Sequence, residues 1–357
     1  MENQIIEDYS IFLNRKPIKT DLTKASEFIK GKRVLVTGGC GSIGSELVKQ
    51  LIKLNPSSII IFDNAESPMF YLQQEISKLK TYTHIKFIIG DVRDVYRVDE
   101  VFKTYMPNIV FHSAAYKHVP MMESNSIEAV KTNVLGTKHI ADAAYYNDIE
   151  AFVLISTDKA VNPTNIMGAT KRISEIYVQF LNSKSNTAFI TTRFGNVLGS
   201  QGSVIPIFMK QIKDGGPVCV THKDVIRYFM TIPEACQLVL QASTLGRGGE
   251  IFLFDMGEPV KIINLAKNII KYYGDDSIKI KIIGLRPGEK LYEELLCDGE
   301  SAETQDENIM LLRHPELDFK SLIPDIEKLS KYKMSDTHGI ISLIKNIVPE
   351  FKREAYD

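Results

Sequence analysis

Short apolar runs alternate with longer amphipathic segments from residue 33 onward, and this alternation predicts a sheet flanked by helices. The short runs are rich in β-branched residues and nearly continuous in apolar side chains, as expected of strands buried on both faces. They cover residues 33–37, 58–62, 85–89, 109–112, 152–156 and 188–192. Helical stretches lie between them, at residues 44–54, 67–80 and 168–182. The pattern therefore predicts an α/β protein with a Rossmann-like, doubly wound parallel sheet.

The pattern changes after residue 203, where glycine and proline become more frequent and the elements become shorter. Thr231 is a predicted N-cap, with Pro233 in the first turn and Glu234 at the third helical position, as in a capping box. A second amphipathic helix is predicted over residues 262–273. We therefore expect a helical lead-in, a sheet domain, a smaller C-terminal α/β lobe that partly returns to the core, and a charged tail. These four parts are residues 1–30, 31–195, 196–300 and 301–357.

The composition is that of an ordinary soluble globular protein. Of the 357 residues, 44% are hydrophobic and 24% are charged, and the formal net charge is -1, so the basic excess of a nucleic-acid-binding protein is missing. The four cysteines are scattered without C-x-x-C spacing, so neither a metal site nor a disulfide framework is predicted. No apolar run reaches the roughly 18 to 20 residues of a membrane span, and the N-terminus lacks the features of a signal peptide. We therefore expect a cytoplasmic chain without a membrane span.

The stretch VLVTGGCGSIGSEL, which follows the first predicted strand and opens a helix, is the first candidate binding site. Glycines in this position permit a tight turn and let backbone N–H groups approach a pyrophosphate at the helix N-terminus. Asp63 ends the second predicted strand, where its carboxylate can accept hydrogen bonds from ribose hydroxyls and would repel a 2'-phosphate. The pattern therefore predicts an NAD site, with NADP less favoured; the alternative is a glycine turn that only packs helix against sheet. The predicted contacts are Gly38, Gly41, Ser42, Ile43, Gly44 and Asp63.

Two later strand ends extend the predicted cofactor site. Asp91 and Val92, in the stretch GDVRD after the third strand, are expected to flank the adenine. Ala114 and Ala115, in HSAAYKHVP after the fourth strand, are expected near the pyrophosphate and the nicotinamide ribose. Carboxyl ends of parallel strands meet at one edge of an open sheet, which is where such folds bind their ligands. Residues 31–195 are therefore the predicted NAD-binding domain.

The stretch STDKAVNPTNIMGATK, residues 156–171, follows the fifth predicted strand and carries the candidate chemistry. Thr157, Asp158 and Lys159 reach the edge of the sheet where the nicotinamide ring is expected. Met167 and Lys171 are four residues apart and share one face of the next helix. A methionine cannot exchange a proton, whereas Lys171 can bond the nicotinamide ribose and lower the pKa of a neighbouring acid. The alternative interpretations are a surface ion pair for Asp158 and Lys159 and core packing for Met167.

Six blocks in the same order resemble the extended short-chain dehydrogenase/reductase superfamily, and among its members the nucleotide-sugar 4,6-dehydratases that act on UDP-N-acetylglucosamine. The blocks are VTGGCGSIGSEL, AAYKHVPMME, STDKAVNPTNIMGATKR, RFGNVLGSQGSVIP, RYFMTIPEA and GLRPGEKLYEEL, and the resemblance runs from about residue 10 to about residue 300. It implies a tightly bound, recycled NAD, a role in polysaccharide biosynthesis or glycosylation, and a homo-oligomer. Many proteins of this kind carry membrane spans ahead of the dehydratase domain, so the chain is expected to be a soluble member or an excised domain.

The resemblance also implies a reaction. C4 of the hexose is oxidised, water is lost across C5 and C6, and the stored hydride returns to C6. Asp158 is then the expected acid for the C6 hydroxyl, which requires a raised pKa, and Lys159, if its surroundings hold it neutral, is the expected base for C5. Thr157 through a water, Lys171, or a group of the substrate or solvent could take the C4 hydroxyl proton, and we favour Thr157 with Lys171 supplying the charge. Among similar dehydratases, a methionine at the position of Met167 goes with retention of configuration at C5.

A UDP-sugar carries a diphosphate, which calls for cations and backbone donors. Arg227 and Arg286 are the expected phosphate contacts, Glu289 is expected to accept from the uridine ribose or to tune Arg286, and Lys117 is expected to face the sugar. Asn196 and Ser203, in and beside the stretch GSQGS, complete the predicted substrate contacts in the lobe. For each arginine the alternative is a solvated surface charge. The competing functions are a C5-inverting dehydratase, a UDP-sugar 4-epimerase and a non-catalytic dinucleotide sensor.

Overall fold

The computed structural model describes residues 9–13, 15–297, 300–313 and 319–353. The strands are β1 Arg33–Thr37, β2 Ser58–Asp63, β3 His84–Ile89, β4 Ile109–His112, β5 Ala151–Ile155, β6 Ala188–Arg193, β7 Asn196–Val197, β8 Val218–Val220, β9 Ile226–Arg227, β10 Phe229–Met230, β11 Ile251–Phe254, β12 Val260–Lys261, β13 Ile280–Ile282, β14 Ser301–Asp306 and β15 Ile309–Arg313. The helices are α1 Thr23–Ile29, α2 Ser42–Ile52, α3 Glu66–Ile76, α4 Val95–Tyr105, α5 Val119–Ser124, α6 Ser126–Ala129, α7 Thr137–Tyr146, α8 Ile166–Asn182, α9 Val204–Lys213, α10 Ile232–Leu245, α11 Ile262–Tyr273, α12 Leu322–Leu329 and α13 Thr337–Ile347.

Nine of these strands form one sheet in the order β14-β15-β11-β6-β5-β4-β1-β2-β3. The first six strands and β11 run parallel, whereas β15 and β14 are antiparallel to their neighbours. The chain order reverses between β1 and β4, which makes this the point where an open α/β sheet binds its ligand. The predicted α/β class and the doubly wound parallel sheet are confirmed, and each of the six predicted strands lies within one residue of an observed one.

The strands are apolar throughout because both faces of the sheet are covered. Leu35 and Ile60 face a core that also contains side chains of α4, α7, α8, α12 and α13. Val34 and Val36, one position away on the same strand, face the opposite core, which contains side chains of α1, α2, α3 and α10. Alternate residues of one strand thus fill two different cores, as the two-residue period of a β-strand requires.

A smaller lobe lies after β6. It contains three two-stranded sheets and the helices α9 and α11, and its own core includes Ile205, Phe208, Leu265 and Ile269. The chain then returns to the main sheet with α10 and β11. Helix α11 begins and ends at the two predicted residues, 262 and 273. The predicted capping box is also present in α10: Glu234 N donates to Thr231 Oγ1 at 3.2 Å, and Thr231 N donates to Glu234 Oε2 at 2.6 Å.

The structure adds detail at the two ends of the chain, where the pattern predicts a helical lead-in and a charged tail. In the lead-in, residues 1–8 lie outside the described residues, Tyr9–Phe12 form a 3-10 turn whose Phe12 packs into the core of the lobe, and α1 spans Thr23–Ile29. The described part of the region after residue 300 packs against the main domain. Strands β14 and β15 extend the main sheet, and α12 and α13 pack on one of its faces. Among the described residues, no helix combines the length and the apolar character that a membrane span requires.

Candidate active site

The glycine turn between β1 and α2 has the geometry that a pyrophosphate needs. Gly38 has a φ of +62°, and a Cβ there would lie 2.6 Å from the backbone nitrogen of Ala114. A Cβ on Gly44 would lie 2.1 Å from the carbonyl oxygen of Gly38, so only glycine lets α2 start this close to the turn. Gly41 is the N-cap of α2 and has no side chain to fill the space in front of the helix. Ser42 and Ile43 are the first two residues of α2. The turn therefore leaves a cradle at a helix N-terminus, where anions bind.

Asp63 lies at the end of β2, beside this turn. Its Oδ2 accepts a hydrogen bond from the backbone N–H of Cys40 at 2.9 Å, and its Oδ1 accepts from the N–H of Ala65 at 2.9 Å. Two backbone donors thus fix the orientation of the carboxylate while each oxygen keeps a lone pair for a ribose hydroxyl. This geometry fits the adenosine half of NAD.

The other predicted cofactor contacts lie along the same edge of the sheet. Asp91 is held by Arg93 at 2.6 Å, and this ion pair lowers the pKa of Asp91 although burial opposes the shift. Val92 is buried, and its carbonyl oxygen lies 3.0 Å from His139 Nδ1. Ala114 touches the glycine turn, and Ala115 follows it, half-buried. The strand ends thus bring these candidates to the edge where the sequence pattern predicts the cofactor.

Thr157, Asp158 and Lys159 follow β5, where Thr157 caps a short 3-10 turn that spans Asp158–Ala160. Asp158 Oδ1 accepts from Thr157 Oγ1 at 2.9 Å and from Lys159 Nζ at 3.0 Å. The other oxygen, Asp158 Oδ2, is buried and has no hydrogen-bond partner among the described residues. Gly168, in the first turn of α8, allows this packing, since a Cβ there would lie 2.0 Å from the carbonyl oxygen of Lys159. A buried, unpartnered carboxyl oxygen is unusual and is a mark of functional sites.

Glu293 joins this group from the lobe and is the residue that the sequence pattern did not single out. Its Oε1 lies 3.5 Å from Lys159 Nζ and 3.3 Å from Arg227 Nε, and its side chain is 5% exposed. The stretch GEKLYEELL contains three acids, and their order alone does not tell which of them points inward. The only available signal was its place in a block that resembles the dehydratases.

The three ionisable groups have shifted pKa values that follow from this arrangement. Burial raises the pKa of Asp158, and the negative charge of Glu293 adds to the shift against the opposing ammonium of Lys159. Burial alone would lower the pKa of Lys159, but the two carboxyl groups outweigh it and raise that pKa. Burial likewise opposes the low pKa of Glu293, which Lys159 and Arg227 impose. The raised pKa of Asp158 is the direction expected of an acid. The raised pKa of Lys159 favours the ammonium and is opposite to the direction that the neutral amine expected for Lys159 would need.

Helix α8 carries the other two predicted catalytic positions, and they differ in environment. Met167 is 2% exposed and belongs to the core beneath the sheet. Lys171 is also buried, and burial lowers its pKa to about 8 although Glu175 opposes the shift. Its ammonium makes no hydrogen bond or ion pair within 4 Å to another described residue. The N–H donors of Lys171 are therefore available to a ligand. Burial and the charge of Lys171 lower the pKa of His112, at the end of β4, to about 3.

A buried charge network lies directly behind the strand ends. Arg193, at the end of β6, makes two hydrogen bonds to Glu175 of α8, at 2.9 and 2.7 Å, and both side chains are 0% exposed. Glu175 also accepts from Ser156 at 2.6 Å and from Arg172 at 3.0 Å. Arg193 makes a further pair with Glu300, just before β14. The sequence pattern did not reveal this network, because its members are far apart along the chain. Ser156 connects it to the turn that carries Thr157.

A family model described as polysaccharide biosynthesis protein matches residues 34–314, which is more than half of the chain and includes the glycine turn, the strand ends and Glu293. The chain belongs to this family. Residues 34–314 contain the parallel part of the sheet from the second residue of β1 onward and all the strands of the lobe. The region that the family model covers therefore includes every candidate site residue described above.

Three curated proteins are similar to this chain. The capsular polysaccharide biosynthesis protein CapD of Staphylococcus aureus is 52% identical over 294 residues, which are 81% of this chain and 49% of CapD. The chain thus spans about half the length of that relative. A UDP-glucose 4-epimerase of Rickettsia canadensis is 38% identical over 282 residues, 77% of this chain and 80% of the relative. A UDP-N-acetylglucosamine 4,6-dehydratase (inverting) of Campylobacter jejuni is 37% identical over 276 residues, 76% of this chain and 79% of the relative.

Two solved structures of other proteins are similar in fold. Pen from Bacillus thuringiensis has a TM-score of 0.76 and is 36% identical, covering 81% of this chain and 91% of Pen. DesIV of Streptomyces venezuelae, a dTDP-glucose 4,6-dehydratase with bound NAD, has a TM-score of 0.66 and is 22% identical, covering 72% of this chain and 86% of DesIV. At that identity the likeness to DesIV concerns the fold alone, which is the Rossmann-like fold of the short-chain dehydrogenases.

The predicted substrate contacts are divided between two environments. Asn196 and Lys117 lie near the turn: Lys159 Nζ donates to Asn196 Oδ1 at 3.3 Å, and Lys117 Nζ donates to Ser200 Oγ at 3.2 Å. Ser203 precedes α9, and its Oγ is buried with no partner among the described residues. The two remaining predicted cations, Arg227 and Arg286, differ in how exposed their side chains are.

Arg227 is not a free surface cation, because its side chain is 9% exposed and its guanidinium already has hydrogen-bond partners. It donates to the carbonyl oxygens of Ile226, Leu291 and Lys290 at 2.7, 3.2 and 2.7 Å. Arg286 is 52% exposed and is held by Glu289 at 3.3 Å, so it remains open to solvent. Glu289 also lies 3.5 Å from Arg227 and accepts from Thr221 at 3.0 Å. Of the two predicted phosphate contacts, Arg286 is the one with donors that a ligand can reach.

Proposed function

We propose that this chain is a UDP-N-acetylglucosamine 4,6-dehydratase that uses a tightly bound, recycled NAD and retains the configuration at C5. The observation that carries the proposal is the buried carboxyl group of Asp158, which is held beside Lys159 at the ligand edge of the sheet. Elimination of water needs an acid at the C6 oxygen and a base at C5, and these two side chains supply one group of each kind. A UDP-sugar 4-epimerase exchanges hydride at C4 and has no use for either group.

The glycine turn and Asp63 fit NAD. Backbone N–H groups at the start of α2 would hold the pyrophosphate, Asp63 the adenosine ribose and Lys171 the nicotinamide ribose. When bound, NAD supplies the acceptor for the C4 hydride and its later return to C6. The pKa of about 8 that burial gives Lys171 keeps a large share of its amine charged near neutral pH, so a positive charge lies next to the ring.

The proton steps fall to the turn after β5. The hydroxyl of Thr157, with a water, would take the C4 proton, and the charge of Lys171 would stabilise the developing alkoxide. Asp158 would then give its proton to the departing C6 hydroxyl, which leaves as water. Lys159 would accept the C5 proton, and it must first release its own proton to solvent, because the surrounding carboxyl groups favour the ammonium. After the hydride has returned to C6, Lys159 would give C5 a proton that has exchanged with solvent. Met167 shapes the pocket, and the resemblance links it to retention at C5.

The nucleotide would lie over the lobe. Arg286, whose guanidinium is half exposed, would bind the diphosphate, and Ser203 at the start of α9 would donate to it. Lys117 would face the sugar from the segment after β4. Arg227 would act indirectly, because its donors already bind backbone carbonyls and Glu293.

The test is to incubate the purified protein with UDP-N-acetylglucosamine in deuterated water and to follow the product by NMR. The proposal predicts a 4-keto-6-deoxy sugar with deuterium at C5 and, in a parallel reaction in ordinary water, the nuclear Overhauser contact between H3 and H5 that the retained configuration gives. An unchanged sugar would refute the dehydratase, and a 4-keto sugar without that contact would refute retention alone. Asp158→Asn and Lys159→Ala should each abolish turnover and leave NAD bound, whereas the surface variant Asp99→Asn should behave like the wild type.

A second candidate is a UDP-sugar 4-epimerase, which the 38% identity to the Rickettsia canadensis 4-epimerase favours. The same NMR experiment separates the two functions. An epimerase would give a C4-epimeric sugar that keeps its C6 hydroxyl and takes no deuterium at C5. It would also tolerate Lys159→Ala, because no proton leaves C5.

A further inference from the structure

Glu293 is a buried acid to which the proposed reaction gives no step. It comes from the lobe, 134 residues after Lys159 along the chain, and its carboxylate lies between the cations of Lys159 and Arg227, at 3.5 and 3.3 Å. Its side chain is 5% exposed, so solvent screens these contacts little. Its neighbour Glu294 instead pairs with Lys290 and is 50% exposed. The chain therefore places one of two adjacent acids inside the site and leaves the other at the surface.

The charges around this acid come from four segments. Asp158 and Lys159 lie on the turn after β5, and Arg227 on β9. Lys290 faces Glu293 from its own segment, and Lys117 faces Lys159 from the segment after β4. Among these five groups, the cations close to Asp158 or Glu293 are Lys159, Arg227 and Lys290. With Glu293 ionised, Lys159 and Arg227 have a counterion that is not Asp158.

We infer that Glu293 is a positioning residue for the elimination: it anchors the Lys159 amine between two carboxyl groups and neutralises the cations of the site, so that Asp158 can keep the proton it must deliver. The inference rests on the proposed function. Without the charge of Glu293, Arg227 would still have Glu289 at 3.5 Å, but Lys159 would have Asp158 as its nearest carboxyl group, at 3.0 Å. Asp158 would then release its proton to pair with Lys159. A carboxylate cannot protonate a leaving hydroxyl, so the acid of the reaction would be lost.

Glu293→Gln tests this inference because it removes the charge and keeps the size of the side chain. Loss of a charge within about 4 to 6 Å shifts a pKa by about 1 to 3 units. Both Asp158 and Lys159 lose a neighbouring negative charge, which favours the charged form of the acid and the neutral form of the amine. Both limbs of the pH profile of dehydration should therefore move to lower pH by about 1 to 3 units. Glu293→Asp should restore a profile close to the wild type, and Glu294→Gln, the matched control, should leave it unchanged.

A second measurement does not depend on turnover. Infrared spectra of the ligand-free protein show the C=O stretch of a protonated carboxyl group, and the band that Asp158→Asn removes belongs to Asp158. In the wild type this band should persist to higher pH than in Glu293→Gln, with Glu294→Gln matching the wild type. If Glu293→Gln fails to fold, Glu293→Ala, which also removes the charge, carries the test and should shift the band in the same direction.

The outcomes separate the inference from the proposed function. A wild type that makes no 4-keto sugar refutes the dehydratase, while the infrared band still tests the effect of Glu293 on Asp158. A Glu293→Gln variant with lower turnover but an unshifted pH profile and an unshifted band would overturn the inference and leave Glu293 a packing residue. A shift of both, with rescue by Glu293→Asp, would support it.

Discussion

Glu175 allows the sharpest test of what holds the strand ends in place. Its pKa is lowered from 4.5 to about 2: burial opposes the shift, and the guanidinium groups of Arg193 and Arg172, with the hydroxyl of Ser156, outweigh burial. One pKa unit corresponds to about 1.4 kcal/mol, so this shift represents about 3 kcal/mol of stability at neutral pH. Removing one partner of a buried ion pair costs about 3 to 5 kcal/mol, which agrees. We therefore expect Glu175→Gln to lower the free energy of unfolding by about 3 to 5 kcal/mol at pH 7.

The assay is unfolding in urea, followed by far-UV circular dichroism at several pH values. The folded-state pKa of Glu175 is lower than the unfolded one, so its stabilisation is present above about pH 4.5 and is lost as the pH falls towards about 2. The difference between the wild type and Glu175→Gln should shrink over that window. Asp99→Asn is the matched control, because Asp99 pairs with Lys103 at 2.6 Å on the surface of α4, with side chains 52% and 70% exposed. It should cost at most about 0.5 kcal/mol.

A loss below about 1 kcal/mol for Glu175→Gln would refute the reasoning, because it would place the pair among surface ion pairs in energy. So would a difference that stays constant between pH 7 and pH 3, since the charge of Glu175 would then not be the source of the stability. Dehydration activity gives a second reading. Glu175 holds Ser156, the residue before Thr157, so the variant should also lose activity at temperatures where it is still folded.

The folded-state pKa of His112 is about 3 because burial, and then the charge of Lys171, disfavour its protonated form. As the pH falls, the unfolded chain therefore binds a proton at His112 before the folded chain does, and the free energy of unfolding should decrease by about 2 kcal/mol between pH 7 and pH 5. His112→Gln should remove this decrease, which the urea midpoints at the two pH values would show. Gly44→Ala should weaken NAD binding at least about tenfold in a fluorescence titration, because its methyl group would meet the carbonyl oxygen of Gly38 at 2.1 Å; Gly41→Ala, with 3.3 Å to the same atom, should lose less. Thr231→Ala should lower the free energy of unfolding by about 1 kcal/mol, since it breaks the capping box of α10; equal urea midpoints would contradict that role.

The elements that the sequence predicts well are those whose signal is local. A parallel strand buried on both faces is a continuous apolar run, and the run at residues 109–112 coincides with β4. The capping box needs only Thr231 and Glu234, three residues apart. The glycine turn is likewise contained in one stretch after β1. In each case the residues that decide the structure are neighbours along the chain.

The features that the sequence does not predict depend on partners from distant segments. Strand β14 is polar and largely exposed, so its sequence SAETQD has no apolar alternation to mark it as a strand. The side chain of Arg227 has the charge and donors of a phosphate ligand, but in the folded chain its guanidinium donates to the carbonyl oxygens of residues 290 and 291. Glu293 and Glu294 are equivalent in sequence, and only the seating of the lobe against the turn after β5 decides which one is buried.

The polar strand β14 also affects how copies of this protein meet in solution. It is the outermost strand on its side of the sheet, and an open strand edge can pair with another chain and begin aggregation. Its exposed side chains include Glu303, and the pairing with β15 is interrupted by an irregularity between Thr304 and Asp306. Both features disfavour the addition of a further strand. Strand β14, which lies in the predicted tail, thus disfavours edge-to-edge aggregation of the sheet.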